Sequence, residues 1–252
     1  MSFTAKLSSL AKRIVTRLNN SCQIRVPTTR NSARSPRRRL LITFAGKLFR
    51  FNFVTPEDAN RIIGFHTKEP LTIRLLKLIE PGDVLLDVGA SMGVYSIPAA
   101  YSVGSTGRVV AIDADASKIA RLRGNARLNG VIDRVETVVA LADERSVPDL
   151  GLLSLDDLFL SHQQPEPTLI KIDVDGPELQ VIRGLQSTLR FNRRLRLLQI
   201  ELCESNRELV DYLGDLGFKM VAFETHASRD VALLGGASAV GNAWFVRCGV
   251  RS

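Results

Sequence analysis

Cysteine is scarce in this chain of 252 residues: Cys22, Cys203 and Cys248 are far apart, odd in number and never in a C-x-x-C pair. That argues against a disulfide framework or a zinc knuckle, and it makes a reducing, cytoplasmic compartment the default. The three histidines, His66, His162 and His226, show no H-E-x-x-H spacing, so zinc catalysis is not indicated. His226 reads as a surface residue. Aromatic residues make up 6% of the chain, and no basic stretch is interleaved with them, so no platform for stacking nucleic-acid bases is offered. No apolar run approaches the roughly 18 to 20 residues that cross a bilayer. Acidic residues are absent before Glu57.

That last absence locates the charge. The net charge is +8, but residues 1–56 hold 12 of the 34 Lys and Arg, leaving 22 basic against 26 acidic residues in the remainder. The basicity belongs to an N-terminal arm, and a nucleic-acid partner cannot be argued from the overall charge. Within residues 1–39, Phe3, Leu7, Leu10, Ile14 and Leu18 fall on one helical face, with Lys6, Lys12, Arg13 and Arg17 mostly off it. A Ser/Arg/Pro stretch, TTRNSARSPRRR, follows with little to bury. Three readings stand: a helix on an anionic membrane surface, an organellar presequence, or a solvated, partly disordered extension.

Beyond the arm, apolar runs at Leu40–Phe44 and Leu48–Val54 flank Ala45-Gly46-Lys47 and predict a hairpin. Thr55-Pro56 reads as a helix start. Pro70 opens a second helix with Leu71, Leu75, Leu76 and Ile79 on its apolar face, stopped by Pro81-Gly82. Strands are then predicted at 83–88, 107–112, 134–139, 168–174, 195–201, 217–224 and 241–248, with helices including 115–129 and 176–190. Strands alternating with helices mean a mostly parallel sheet covered on both faces. The last two strands are joined only by a loop, Thr225 to Val240, so the final strand is expected to be antiparallel. The chain divides into the arm (1–39), a hairpin and helices (40–80) and an α/β domain (81–252).

The segment Val84 to Ser96, VLLDVGASMGVYS, carries the chemistry. A buried strand ends at Asp87 and turns into a helix through Gly89, Ala90, Ser91, Met92 and Gly93. Such a loop lets a ligand lie against backbone amides. The dinucleotide fingerprint needs glycine where Ser91 stands, which disfavours a pyrophosphate and NAD-dependent oxidoreduction. S-adenosylmethionine, with a sulfonium and an amino-acid tail, fits better. Asp113 ends the next strand, where a carboxylate can accept the ribose hydroxyls; the alternative is a helix cap, for which Asp115 and Ser117 also qualify. Asp143, after the third strand, can accept the exocyclic amine of adenine or be a solvated acid. In KIDVDGPELQVIRG, Asp173 ends a strand that is apolar apart from itself and Lys171, while Asp175 and Glu178 suit a helix's first turn. Glu201 ends the neighbouring strand. Asp173 and Glu201 could share a divalent cation, which no motif indicates, orient a hydroxyl, or act as a base. Cys203, Trp244 and Phe245 read as packing residues.

These residues resemble the FkbM-type S-adenosylmethionine-dependent methyltransferases over roughly 50–248. The resemblance rests on TKEP (Thr67 to Pro70), LDVGASMGVYS, VVAIDAD, LIKIDVDGPELQVIRG, the QIE of Gln199 to Glu201 and the terminal GNAWFVR. It implies a seven-stranded Rossmann-like sheet with a reversed last strand, and methyl transfer to an oxygen, commonly a sugar or polyketide hydroxyl. By position it implies that Asp87, Gly89, Ala90 and Gly93 line the methionine end of the cofactor and Asp113 the ribose. Glu69 matches the family's acidic residue before the first core strand. The chain departs from the pattern at Ser91-Met92, at Asp113 and at Asp175-Gly-Pro-Glu178. The expected partner is a small-molecule or glycan acceptor. The rival readings are an RNA methyltransferase that uses the basic arm and a non-catalytic, membrane-associated protein of the same fold. The absence of an Asn/Asp-Pro-Pro-Tyr/Phe motif weighs against amino-nitrogen methylation of bases.

Overall fold

The apolar runs pair into one seven-stranded sheet. A computed structural model describes residues 38–161, 164–174, 176–202, 206–225 and 240–248. The expectations for residues 1–37, His162, Asp175, Cys203, His226 and most of the loop before Val240 fall outside these described residues. A hairpin of β1 (Arg39–Phe44) and β2 (Lys47–Asn52) comes first, followed by α1 (Pro56–Ile63) and α2 (Pro70–Leu78). The core then runs β3 (Val84–Val88), α3 (Ser96–Ser102), β4 (Arg108–Asp113), α4 (Ala116–Leu128) and β5 (Val135–Val139). A short parallel pair follows, β6 (Leu141–Ala142) with β7 (Leu152–Leu153), and then α5 (Leu155–Ser161). The remainder is β8 (Leu169–Ile172), α6 (Glu178–Arg183), α7 (Gln186–Phe191), β9 (Leu197–Leu202), α8 (Arg207–Asp215), β10 (Phe218–Thr225) and β11 (Gly241–Arg247).

The sheet order is β10-β11-β9-β8-β3-β4-β5, parallel except for β11, which is antiparallel to both neighbours. The order reverses at β3, whose partners are β4 on one side and β8 on the other. A crevice therefore opens at the carboxyl ends of these strands. Alternation sorts the side chains between two cores. Leu85, Val109, Leu169, Leu197 and Trp244 pack under the hairpin and α1–α4, whereas Leu86, Val110, Ile170, Leu198 and Phe245 pack under α5–α8. Period two then places Asp87, Lys171 and Gln199 on the hairpin side. Cross-strand register aligns them: Asp87 opposite Lys171, Lys171 opposite Gln199, and Gln199 opposite Trp244.

The N-terminal elements form as their turn chemistry dictates. Ala45 and Gly46, both at positive φ, make the two-residue turn that suits a right-twisted hairpin. The Thr55 hydroxyl accepts from the Asp58 amide while Asp58 accepts from the Thr55 amide, a reciprocal cap on α1. Two asparagines on α4 hold the hairpin against the core. Asn129 accepts from the Arg50 amide (2.9 Å) and donates to its carbonyl (2.7 Å). Asn125, one turn earlier, accepts from the Asn52 amide (2.9 Å) and donates to the carbonyls of Asn52 and Met92. Met92 lies in the glycine loop, so Asn125 ties the hairpin to that loop.

Two expectations are corrected. The helix predicted over 176–190 is two helices, broken around Gly184. There the chain presses on the Asp143 backbone, and a Cβ would come within 2.1 Å of the Asp143 oxygen. The Gly184 carbonyl accepts from the Asp156 amide and the Ser154 hydroxyl. The strand predicted over 168–174 ends at Ile172, just after which Asp173 donates its amide to Val88 and the backbone leaves the ladder. Among the described residues no helix is long and apolar enough to cross a membrane.

Asn125→Ala should lower the free energy of urea unfolding by about 2 to 3 kcal/mol, because it strands the Asn52 amide and the Met92 carbonyl. An unchanged unfolding midpoint would show that these contacts do not hold the hairpin.

Candidate functional site

The glycine loop is built by backbone constraints. Gly89 takes φ +80°, and a Cβ there would lie 1.8 Å from the Asp173 carbonyl oxygen, so no side chain fits. Gly93 does not line the cleft; its Cβ would strike Leu122 of α4 at 2.8 Å, so this glycine lets helix and loop pack. Ser91 occupies the left-handed region at φ +50° although it has a Cβ. Its amide is held by Asp113 Oδ2 at 2.8 Å.

Asp113 therefore has a structural task. Its second oxygen, Oδ1, accepts from the Asp115 amide at 2.9 Å. Asp115, not Asp113, caps α4, accepting from the Ser117 and Lys118 amides. One bond to each oxygen leaves Asp113 further acceptor capacity. A cavity of about 220 Å³ lies beside it, walled by Gly89, Ser91, Asp113, Lys118, Ala140–Ala142 and Asp173. Asp143 is half-buried just outside this wall, accepting from the Glu144 amide.

A second, narrower compartment of about 20 Å³ adjoins the first, with Arg61, Gly89, Ser91 and Asp173 common to both. Its own walls include Lys68, Glu69, Asp87, Ala90, Tyr95 and Lys171. The Lys171 ammonium is 2% exposed and sits 3.0 Å from Asp173 Oδ2 and 3.7 Å from Asp87 Oδ1. Burial pulls its pKa down, but Asp173, Asp87 and Glu69 outweigh burial and hold it above the ordinary lysine value. Asp87 is pushed the other way: burial raises its pKa, opposed by Lys171 and by the Ser96 hydroxyl, which donates to Oδ2 at 2.5 Å. Asp87 Oδ1 is buried without a hydrogen-bond partner. Tyr95 stacks on Phe65 and lies beneath Lys171, 5.5 Å from ring centroid to ammonium. Burial, followed by Glu69, keeps its phenol protonated well above the usual value.

The structure thus brings together Glu69, Asp87, Gly89, Ala90, Asp113 and Asp173. Glu201 is half-buried on β9, paired in register with Asn242, and lines neither compartment. Sequence reasoning missed Arg61, Lys68, Tyr95 and Lys171. The signal for Lys171 was present: a lysine inside a central apolar strand, two positions before an aspartate, needs a buried anionic partner. Tyr95, Arg61 of α1 and Lys68, between α1 and α2, carry no such mark. Among the described residues no three His, Cys, Asp or Glu side chains gather as a cation would require.

The groups present suit S-adenosylmethionine. Asp87, whose Oδ1 accepts no hydrogen bond, walls the narrow compartment beside Gly89, where no side chain fits, and the wider cavity is walled by a carboxylate on the second core strand.

Comparison with known proteins agrees. The pattern of the methyltransferase FkbM domain matches residues 149–220, and that of the TRM5/TYW2 methyltransferase domain matches residues 61–157. The hexuronic acid methyltransferase AglP of Haloferax volcanii is 25% identical over 177 residues, 62% of this chain and 71% of that protein. A "probable cobalt-precorrin-6B C(15)-methyltransferase (decarboxylating)" of Pyrobaculum calidifontis is 31% identical over 163 residues, 64% of this chain and 75% of the relative. The crystal structure of methyltransferase FkbM from Methylobacillus flagellatus KT superposes with a TM-score of 0.51 at 20% identity, over 65% of this chain but only 43% of that one. This chain therefore spans under half the length of that protein, and the likeness speaks for the fold. The relative matched over three quarters of its length shows that the chain belongs to the S-adenosylmethionine-dependent methyltransferases, and the FkbM pattern over residues 149–220 makes it one of the FkbM type.

Proposed function

We propose that the protein transfers a methyl group from S-adenosylmethionine to an oxygen of a sugar, glycan or secondary metabolite. The observation that carries this reading is the position of Asp173, a residue that lines both compartments and whose carboxylate is held by Lys171 at 3.0 Å. The wider cavity suits the adenosine, with Asp113 accepting the ribose hydroxyls and Asp143, beside Ala142, reaching the adenine amine. The narrower compartment suits the methionine end, with Asp87, Gly89 and Ala90 around it, Gly93 shaping the loop behind and Glu69 facing it.

When bound, S-adenosylmethionine supplies a methyl already activated on a sulfonium, so the protein's task is alignment. Asp173 receives the acceptor's hydroxyl proton as the new carbon–oxygen bond forms and the carbon–sulfur bond breaks. Lys171 orients that carboxylate, its ammonium 3.0 Å from Oδ2. Glu201, one strand further out, is the alternative base, and the cavity walls favour Asp173. Arg61 and Lys68 at the narrow compartment suit an acidic acceptor, in keeping with the hexuronic acid that the Haloferax relative methylates.

Titration calorimetry should find that Asp113→Ala weakens S-adenosylmethionine binding by at least about tenfold, since the ribose contact and the Ser91 anchor are lost together. Unchanged affinity would remove Asp113 from the cofactor site. Asp173→Ala should lower turnover of uronate-bearing sugars by about 100-fold or more while cofactor binding persists. Turnover near that of the wild type would move the base to another group, with Glu201→Gln as the next variant to assay.

A further inference from the structure

The end of the molecule opposite the cleft carries charge and apolar surface that the fold does not use. There α5 leads towards β8 and α7 towards β9. The two helices pack together, and Asp156 near the start of α5 caps α7: Oδ2 accepts from the Ser187 amide at 2.7 Å and Oδ1 from the Thr188 amide at 2.8 Å. From that shared start both run to the amino ends of their strands. About one turn on from the cap, Leu160 is 77% exposed and Phe191 is 70% exposed. One exposed apolar side chain is ordinary, but two at the ends of neighbouring helices mark a surface.

Arginines flank and follow Phe191. Arg190, Arg193 and Arg194 are exposed, whereas Asn192 and Leu195 are buried and hold the turn. Asn192 donates to the Pro167 carbonyl at 2.7 Å and accepts from the Arg194 amide at 2.8 Å, which pins the turn to the foot of β8. The usual task of cations at a helix C-terminus is to meet its last carbonyls, and here it is already filled. Arg247 of β11 donates to the Leu189 and Asn192 carbonyls. Asp83, a buried acid at this end, is taken by Arg196, Thr168 and the Glu80 amide. Among the described residues Arg190, Arg193 and Arg194 make no ion pair, and neither does Glu166, exposed beside Pro167.

We propose that this end docks on an anionic lipid membrane, with Leu160 and Phe191 entering the boundary between headgroups and acyl chains and Arg190, Arg193 and Arg194 meeting lipid phosphates. The guanidinium fork matches phosphate oxygens. An anionic leaflet attracts such cations, and the apolar pair supplies the part of the affinity that salt does not screen. A nucleic acid would match the charge and could stack on Phe191, but it offers no apolar medium to Leu160. A second copy of the chain would bring the same three cations and be repelled. The inference is independent of the cofactor reading. Docking by this end turns the cleft away from the bilayer and leaves it open to water.

The test is co-sedimentation of the full chain with phosphatidylcholine vesicles and with mixed phosphatidylcholine–phosphatidylglycerol vesicles. The wild type should bind the mixed vesicles, less tightly as salt rises, and bind the neutral ones far more weakly. Changing Arg190→Gln, Arg193→Gln and Arg194→Gln together should lower partitioning by about 100-fold, at roughly fivefold per cation. Leu160→Ala with Phe191→Ala should lower it by about tenfold, at high salt as at low. In the Phe191→Trp protein, brominated acyl chains should quench the new indole, while Trp244, 3% exposed, stays unquenched. Vesicle binding that survives both sets of substitutions assigns the membrane contact to the basic arm and overturns the proposal. So does a wild type that binds no anionic vesicle. Binding of single-stranded RNA through the same arginines, with the Phe191→Trp protein unquenched by lipid, makes this a nucleic-acid surface and overturns it as well. If a substituted protein does not fold, the quenching of Phe191→Trp decides alone.

Discussion

The structure depends on one buried cation. Lys171 stands in the middle strand of the sheet, fully buried between Ile170 and Ile172, and an isolated ammonium there would be untenable. Asp87 lies directly across the ladder and Asp173 two residues on along the same face. That geometry explains why both strands end where they do and why Gly89 must be a glycine: the backbone of Asp173 runs against it. The ion cluster and the glycine loop are a single construction, and the cleft is the space left beside it.

The rest of the hairpin-side face follows from the same row. Beyond Lys171 the register continues to Gln199 and Trp244, so polarity leaves the cleft as neutral hydrogen bonds rather than as charge. On the other side it ends at Ala111, where a small apolar residue separates the cluster from the Asp113 carboxylate at the tip of β4. Charge is thus concentrated at two points, one beneath each compartment, within an otherwise apolar face.

Much of this was legible in the sequence, and what was not has physical reasons. Asp87, Asp113 and Asp173 announce themselves because acids at the ends of apolar runs are costly unless used. Thr55-Pro56 and Ala45-Gly46 specify their own local geometry. The split of the 176–190 helix could not be read, because it is imposed by the Asp143 backbone, distant in the chain. Thr72, Tyr95 and Gln199 are ordinary residues in their own segments and gain meaning only from partners on other elements. Asp143 and Glu201 carry the same terminal-acid signature as Asp173, yet the chain places them beside the cleft rather than in its walls. Strand-end position alone does not distinguish lining from flanking.

The two asparagines of α4 have a consequence for solution behaviour. A two-stranded ribbon normally presents its outer amides and carbonyls to any extended segment that passes, which invites pairing with other chains. Asn125 and Asn129 meet those of Arg50 and Asn52 with side-chain amides spaced one helical turn apart, so a helix imitates the missing third strand. That side of the ribbon is closed to strand recruitment for as long as α4 stays folded, and self-association there first requires the helix to let go.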